Sequence, residues 1–519
     1  MRRLSRDQLA LAWLVLLVPT LVCTACEELP TSVRQTGFGE RQDPATSSTT
    51  SPALAGNEES TGTAGSSGIG DAYLPQAGNG GYDTLHYEVA LTYEPEIGYL
   101  SAVTLIEAEA LQDLGAFNLD LLGLNVESAE VDGTPADFAR EGQELTIECP
   151  VVLEAGEAFS VEVAYFGVPE PLEAAGGYPT GWQSDGATAY TLDEPEGAAT
   201  WYPVNDHPSD KATYTFRITV PKPYVATANG VLVATEDEGE EQTFVWEMRQ
   251  PLANYLAAVA IGEFTVEEMV APNGVAIRNY FDSELAEDAQ EAFARTGEVL
   301  AYFSEVFGPY PFEAYGVVVP DVYTEAAMEN QTLSLFGRDL LEGPMADATL
   351  GEIYLSHELA HQWFGDSVTL GKWQDIWLNE GFATYASWLW FEHDLGAQGL
   401  AMGVEDAQRR LGVEASSPPT GAEIPPGDPG VTKLFGVSVY HRGALTLHAL
   451  RLTVGDDLFF SILREWVSRY RYGNATTEDF ISLAQEKAGD LPGVDLTGLF
   501  DAWLFGETVP ELPEAATAG

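Results

Sequence analysis

The stretch His357-Glu358-Leu359-Ala360-His361, followed after eighteen residues by Glu380 in Trp377-Leu378-Asn379-Glu380-Gly381, constrains this chain more than any other feature. On a helix, residues four apart stack one turn above another. His357 and His361 therefore offer two imidazoles to one ion, while Glu358 projects beside them toward an open coordination position. A carboxylate from a second helix, Glu380, completes a His₂Glu set and leaves a fourth position for a water. The fold must then lay two helices side by side, and the cofactor expected is one Zn²⁺ per chain. With seven histidines in 519 residues, chance yields roughly 0.01 such motifs. Without a metal, two His and two Glu on neighbouring apolar helices would be buried with no evident partner.

Two textures flank this motif. From Tyr82 to about Val266, short apolar, aromatic or β-branched runs alternate with turn signals: His86–Tyr93, Leu145–Ile147, Phe159–Tyr165, Tyr214–Val220 and Thr243–Met248. That pattern predicts antiparallel sheet, punctuated by Pro221-Lys222-Pro223 and Ala228-Asn229-Gly230. From about Gly274 the periodicity becomes helical, with Ser283–Val306 closed by Gly308-Pro309. Tyr315–Pro320 and Thr332–Phe336 predict strands. Thr349-Leu350-Gly351-Glu352 has the form of a capping box opening the metal helix through Phe364, and a second helix is expected from near Asp375 to Asp394. Trp363, Phe364, Phe382 and Leu389 are the expected packing around the site, and Ile462–Tyr470 and Phe480–Ala488 predict further helices.

At the N-terminus, Arg2, Arg3 and Arg6 precede the apolar run Leu9 to Val22 and the small residues Thr24 and Ala25 before Cys26. Residues 1–26 thus read as a signal segment, its apolar run too short for a confident spanning helix. Cys26 resembles the lipidated cysteine of a bacterial lipoprotein, with Cys23 where such signals usually carry Leu. The expected location is extracytoplasmic: lipid-anchored at the bacterial cell surface, otherwise secreted after ordinary cleavage. Residues 27–78, rich in Ser, Thr, Gly, Ala and Pro, read as a flexible tether. Cys23, Cys26 and Cys149 are the only cysteines, so no disulfide framework is expected. The balance of 23 basic against 81 acidic residues, a formal charge of −58, excludes nucleic acid and anionic membrane surfaces as partners of the folded body. Membrane contact would run only through a lipid on Cys26. Oligomeric state is not legible.

Further motifs accompany the metal helix: Trp201-Tyr202-Pro203 with Asp206-His207-Pro208, Ala327-Met328-Glu329-Asn330, His357–Gly365, Trp377–Phe382 and Tyr440-His441-Arg442-Gly443-Ala444. In this order they resemble the gluzincin aminopeptidases of peptidase family M1, which include aminopeptidase N and leukotriene hydrolase, over residues 80–510. The resemblance implies a multidomain fold: a saddle-like antiparallel β domain, 79–268, and a thermolysin-like, mainly helical zinc catalytic domain, 269–519. It implies a short form with a more open cleft, because larger members add a helical domain that closes over the site.

The resemblance also implies roles. Glu358 would be the general base, Tyr440 the hydroxyl donor to the oxyanion. Glu329 and Glu194 would hold the protonated α-amine of a peptide with a free N-terminus, and Ala327 and Met328 would lie along the substrate as an edge strand. Ala326 stands where the family commonly has Gly, and Leu192 where Gln is frequent. The function implied is a zinc aminopeptidase. The alternatives are an endopeptidase on the same chemistry and a catalytically silent surface binding protein on the same fold.

Overall fold

The computed structural model describes residues 62–174, 177–324, 326–341, 348–412, 421, 424–489, 491 and 494–515. The expected signal segment, Cys26 and the tether up to residue 61 lie outside the described residues. Residues 62–78 do not behave as a tether. Thr63–Ala64 pairs with Leu114–Asp120, and Asp71, Leu74 and Ala77 are buried. Their small, polar composition concealed this, because the segment is held by hydrogen bonds to distant parts of the chain and by few apolar side chains.

The N-terminal region is built on an eight-stranded sheet whose order runs Val231–Asp237, Glu241–Leu252, Ala212–Pro221, Tyr82–Glu94, Tyr99–Ala110, Ala158–Gly167, Asn125–Val131 and Thr134–Pro135. Strict alternation places Tyr87, Val89, Leu91 and Tyr93 on one buried face, beside Tyr214, Phe216, Ile218 and Val220 of the neighbouring strand. Tyr87 and Tyr214 stack at 4.8 Å between ring centroids, and Tyr202 meets Tyr87 edge-on at 5.7 Å. Such pairs each add about 0.5–1.5 kcal/mol beyond area burial. The sheet is not wholly antiparallel as the strand pattern suggested: Tyr82–Glu94 pairs in parallel with Ala212–Pro221, His86 opposite Thr213. Hydrophobic alternation is the same in either direction, so sequence cannot distinguish them.

A second sheet carries the strands Pro179–Ser184, Ala189–Leu192, Val259–Gly262 and Val225–Ala228 in that order. It leads into the catalytic region, where Phe264–Val270 pairs along its length with Ala276–Asp282. The boundary expected after residue 268 therefore falls inside a hairpin of the catalytic sheet. That sheet continues through Val317–Val319 and Ser334–Phe336 to an edge strand, Ala327–Met328.

The stretch expected as one helix over 283–306 is two, Ala286–Ala292 and Thr296–Phe307. At the break Thr296 Oγ1 donates to Phe293 O at 2.7 Å, and Arg295 turns outward to pair with Glu352 and Asp394, both at 2.9 Å. The break thus ties this region to both helices of the expected metal site. Glu352 pairs with Arg295, and Thr349, expected just before the metal helix, lies within its first turn, Ala348–His361. The helix carrying Glu380 spans Trp377–Leu395 and is buried all round from Trp377 to Phe391. Trp363, Phe364, Phe382 and Leu389 are all buried; Phe382 packs on Phe364 at 5.0 Å and on Phe480 at 5.0 Å.

Buried acids of the β region give the fold a pH signature. Burial pushes Asp206 up to about 8 and Asp210 up to about 7. Asp210 accepts Thr84 N at 3.0 Å and Thr84 Oγ1 at 2.9 Å. In the unfolded chain both ionise near the ordinary value of 3.8, so from about pH 4 to 8 the native state holds more protons. Their stabilising contribution is complete below about pH 4 and is lost as pH rises through 7 to 8. Thermal unfolding from about pH 5 to 9 should show Asp210→Asn declining less steeply than the parent chain. Equal slopes would remove Asp210 as a source.

Candidate metal centre and amine site

The metal helix and the Trp377–Leu395 helix bring the three expected ligands together. The side-chain donor atoms of His357, His361 and Glu380 lie within 4.8 Å of one another. Glu380 Oε2 is 3.0 Å from His357 Nε2 and 3.6 Å from His361 Nε2. His361 Nδ1 sits 3.0 Å from Phe364 O. A carbonyl oxygen only accepts, so Nδ1 carries the proton and Nε2 presents its lone pair to the point that Glu380 also faces. Gly365 makes this turn possible: its φ is +127°, and a Cβ there would stand 3.3 Å from both His361 Nδ1 and Asn379 Nδ2.

The surroundings fit a cation. Glu194, Glu329 and Glu358 are 8 %, 3 % and 5 % exposed, and burial raises all three, Glu194 and Glu358 well above the ordinary value. Glu380 goes the other way. Although burial opposes its charge, His361 and His357 hold it at about 2. For His361, burial is likewise outweighed by Glu329 and Glu380, which raise it well above the ordinary value. Glu194 Oε1 and Glu329 Oε1 are buried without a hydrogen-bond partner among the described residues. Such a concentration of desolvated acid requires positive charge to be stable, and the two-imidazole, one-carboxylate donor set is one of those that hold zinc at an open site.

The expected amine acids stand beside this centre. Carboxylate oxygens of Glu194, Glu329 and Glu380 lie within 4.8 Å of one another, and donor atoms of Glu329, Glu358 and His361 form a second such group. Glu194 ends the strand-to-turn passage after Ala189–Leu192; its neighbour Asp193 accepts Trp201 Nε1 at 2.9 Å, which gives the Trp201-Tyr202-Pro203 motif its structural purpose. Glu329 follows the edge strand Ala327–Met328, in which Ala327 is half-buried and Met328 buried. Ala326 is exposed, so its methyl group does not crowd the strand.

Tyr440 lies in a π-helical turn, Ser438–Arg442, its ring nearly parallel to His357 at 5.9 Å. Such a turn inserts an extra residue and re-aims the side chains it carries. Its approach to the metal helices is set by backbone. A Cβ on Gly381, next to Glu380, would come within 3.0 Å of Gly443 Cα and C, three residues beyond Tyr440. Glycine at both positions spares the two elements a tight 3.0 Å contact.

Several residues that sequence reading passed over hold the site. Gln362 Nε2 donates to Glu329 O at 3.0 Å, while Gln362 Oε1 accepts Thr332 N at 2.8 Å and Tyr310 OH at 3.1 Å. It thereby fixes the Glu329 strand to the metal helix. Lys211 Nζ donates to Asp366 O at 2.7 Å and Thr369 Oγ1 at 2.8 Å, just past that helix. Asn379 Nδ2 donates to Tyr255 OH at 3.0 Å, so the β region also steadies the residue before Glu380. Tyr178, 5.8 Å from Phe435 edge-to-face, lies in the electrostatic reach of Glu194, Glu380 and Glu329. Gln362 was adjacent to a recognised ligand and could have been flagged on that ground. The others have no local signal.

Two helices presenting His₂Glu, a second acid on the first helix and an edge strand alongside define a zinc metallopeptidase of the gluzincin class. Residues 291–503 match the Peptidase family M1 domain, and residues 83–256 match the Peptidase M1 N-terminal domain. The M1 zinc metallopeptidase from Deinococcus radiodurans is similar at 32% identity with a TM-score of 0.77, covering 86% of this chain and 100% of that one. Aminopeptidase N of Streptomyces lividans is 27% identical over 450 residues, 81% of this chain and 50% of its own length. Glutamyl aminopeptidase of Mus musculus is 30% identical over 346 residues, 63% of this chain and 36% of its own. The chain spans half or less of the length of these two curated relatives. It belongs to peptidase family M1, whose catalytic metal is zinc.

Proposed function

We propose that the chain is a zinc aminopeptidase that removes N-terminal residues from peptides, with Glu358 as general base. The observation that carries the reading is the pair of buried acid oxygens without a hydrogen-bond partner among the described residues, Glu194 Oε1 and Glu329 Oε1, set beside the His357–His361–Glu380 group, with Glu329 Oε1 3.7 Å from His361 Nδ1. An endopeptidase has no need of paired acids there; a free α-ammonium would satisfy both.

Zinc, when held by His357, His361 and Glu380, supplies Lewis acidity toward a carbonyl oxygen and lowers the pKa of a water. The chain's own residues do the rest. Glu329 and Glu194 bind the substrate ammonium and so fix the first peptide bond at the metal. The backbone of Ala327 and Met328 hydrogen-bonds the extended peptide whatever its side chains. Glu358 takes a proton from the attacking water on its carboxylate and passes it to the leaving amine nitrogen. The Tyr440 hydroxyl donates to the oxygen that gains charge as the carbonyl becomes tetrahedral. A related M1 zinc metallopeptidase from Deinococcus radiodurans solved with a Tyr-Ser-Ala substrate supports a peptide in such a cleft.

A matched pair of peptides, one free and one N-acetylated, tests the reading. The free peptide should be shortened from its N-terminus and the acetylated one left intact. Equal cleavage of both would favour an endopeptidase, and cleavage of neither, with zinc bound, a silent binding protein.

A further inference from the structure

Residues 66–80 form a closed loop that lies ahead of the region matched to the family's N-terminal domain, 83–256. Its neck is shut by the Ser67–Asn79 bridge and by Gly80 N donating to Ser66 O at 3.0 Å. Its tip carries Asp71 and Tyr73, and each side chain bonds to a separate segment of the catalytic region.

Asp71 is buried with every one of its acceptor directions used. Oδ1 accepts Tyr73 N at 2.7 Å and Leu74 N at 3.1 Å, which shapes the tip. Oδ2 accepts Trp373 N at 2.9 Å and faces His207 Nε2 at 3.3 Å. Ser209 N donates to His207 Nδ1 at 3.2 Å, so Nε2 carries the proton donated to Asp71. One carboxylate thus joins the loop, the β region and the catalytic region. Burial would raise its pKa, but the His207 and backbone hydrogen bonds hold it well below the usual range.

Trp373 opens the turn Trp373–Asp375 that feeds directly into the helix bearing Glu380. Its ring packs edge-on against Tyr255 at 5.2 Å, and Tyr255 OH accepts from Asn379, next to Glu380. Tyr73 reaches the other side: its hydroxyl donates to Asp428 Oδ1 at 2.5 Å and accepts Gly430 N at 2.8 Å. Gly430 starts the turn Val431–Lys433, which runs on to the π-helical turn carrying Tyr440. The two segments the loop holds are the ones that deliver Glu380 and Tyr440.

We infer that the 66–80 loop is a brace for the catalytic centre, and that Asp71 and Tyr73 are positioning residues acting through Glu380 and Tyr440 respectively. Asp71 governs retention of the metal, and Tyr73 governs turnover. The turnover half rests on the aminopeptidase reading; the metal half does not.

The full chain with Asp71→Asn or Tyr73→Phe tests this, each loaded with zinc and compared with the parent. The first measurement is the rate of zinc transfer to a chromogenic chelator. Asp71→Asn, which leaves one carbonyl oxygen to serve four donors, should release zinc at least about tenfold faster, and Tyr73→Phe within about twofold of the parent. The second is kcat and KM on a peptide with a free N-terminus. Tyr73→Phe should lose about three- to tenfold in kcat with KM within twofold and melting temperature nearly unchanged. Parent-like zinc release by Asp71→Asn together with parent-like kcat in Tyr73→Phe would overturn the brace. If Asp71→Asn does not fold, parent-like kcat in Tyr73→Phe overturns it alone. If the parent cleaves no peptide, the functional reading fails, and the zinc-release comparison still decides on the brace.

Discussion

Glu358→Gln is expected to keep its zinc and to lose roughly 10²–10⁴-fold in kcat, the range associated with removing a positioned general base. The substitution keeps the size and shape of a side chain that is 5% exposed, on the same helix as His357 and His361. What it removes is basicity, since an amide oxygen cannot hold the proton of the attacking water. Because Glu358 is outside the His357–His361–Glu380 group, metal content measured by atomic absorption should match the parent. Turnover on a free peptide supplies the other half. Retained turnover would remove Glu358 from the proton path, and lost zinc would make it a ligand or a support of one.

Glu329→Gln should cost selectively. Removing one member of a buried charged contact typically costs about 2–4 kcal/mol, or roughly 30- to 1,000-fold, much of it from the partner left unpaired. The loss should appear in kcat/KM for a substrate with a free N-terminus. Any slow background cleavage of the acetylated analogue should be nearly unaffected, since that substrate has no ammonium to bind. The contrast matters because Glu329 Oε1 is also 3.7 Å from His361 Nδ1. A role through His361 alone would lower cleavage of both substrates by the same factor, and that outcome would dismiss Glu329 as the amine acid. Glu194→Gln serves as a companion, since its oxygens share the same point.

The centre was legible because its chemistry is periodic and local. His357, Glu358 and His361 are fixed relative to one another by helical geometry, and Glu380 stands out as an acid on an apolar helix. Glu329, Glu194 and Tyr440 came from resemblance, and the fold brings Glu329 and Glu194 beside Glu380. What holds these groups was not legible. Asp71 meets Trp373, Lys211 meets Asp366, and Asn229 Nδ2 meets Gln331 O at 2.7 Å, pairs separated by about a hundred to three hundred residues, with no pattern at either end. Local competition also misled. The expected helical run breaks at Arg295, whose side chain pairs with Glu352 and Asp394 on two other helices. Composition erred at residues 62–78, since a segment fastened by polar contacts looks like one that is not fastened.

The parallel pairing of Tyr82–Glu94 with Ala212–Pro221 has a consequence for how the molecule is made. His86 lies opposite Thr213, so a strand near the middle of the largest sheet must wait for its neighbour until well over a hundred further residues have been synthesised. Contacts of such long sequence separation form late, because loop closure has to be met before the pairing rewards it. Until then Tyr82–Glu94 has an open edge next to the hairpin it makes with Tyr99–Ala110. A chain truncated before residue 212 would retain that unsatisfied edge permanently and tend to self-associate through it. The pairing thus ties a strand from the start of the β region to one more than a hundred residues on, within a single sheet.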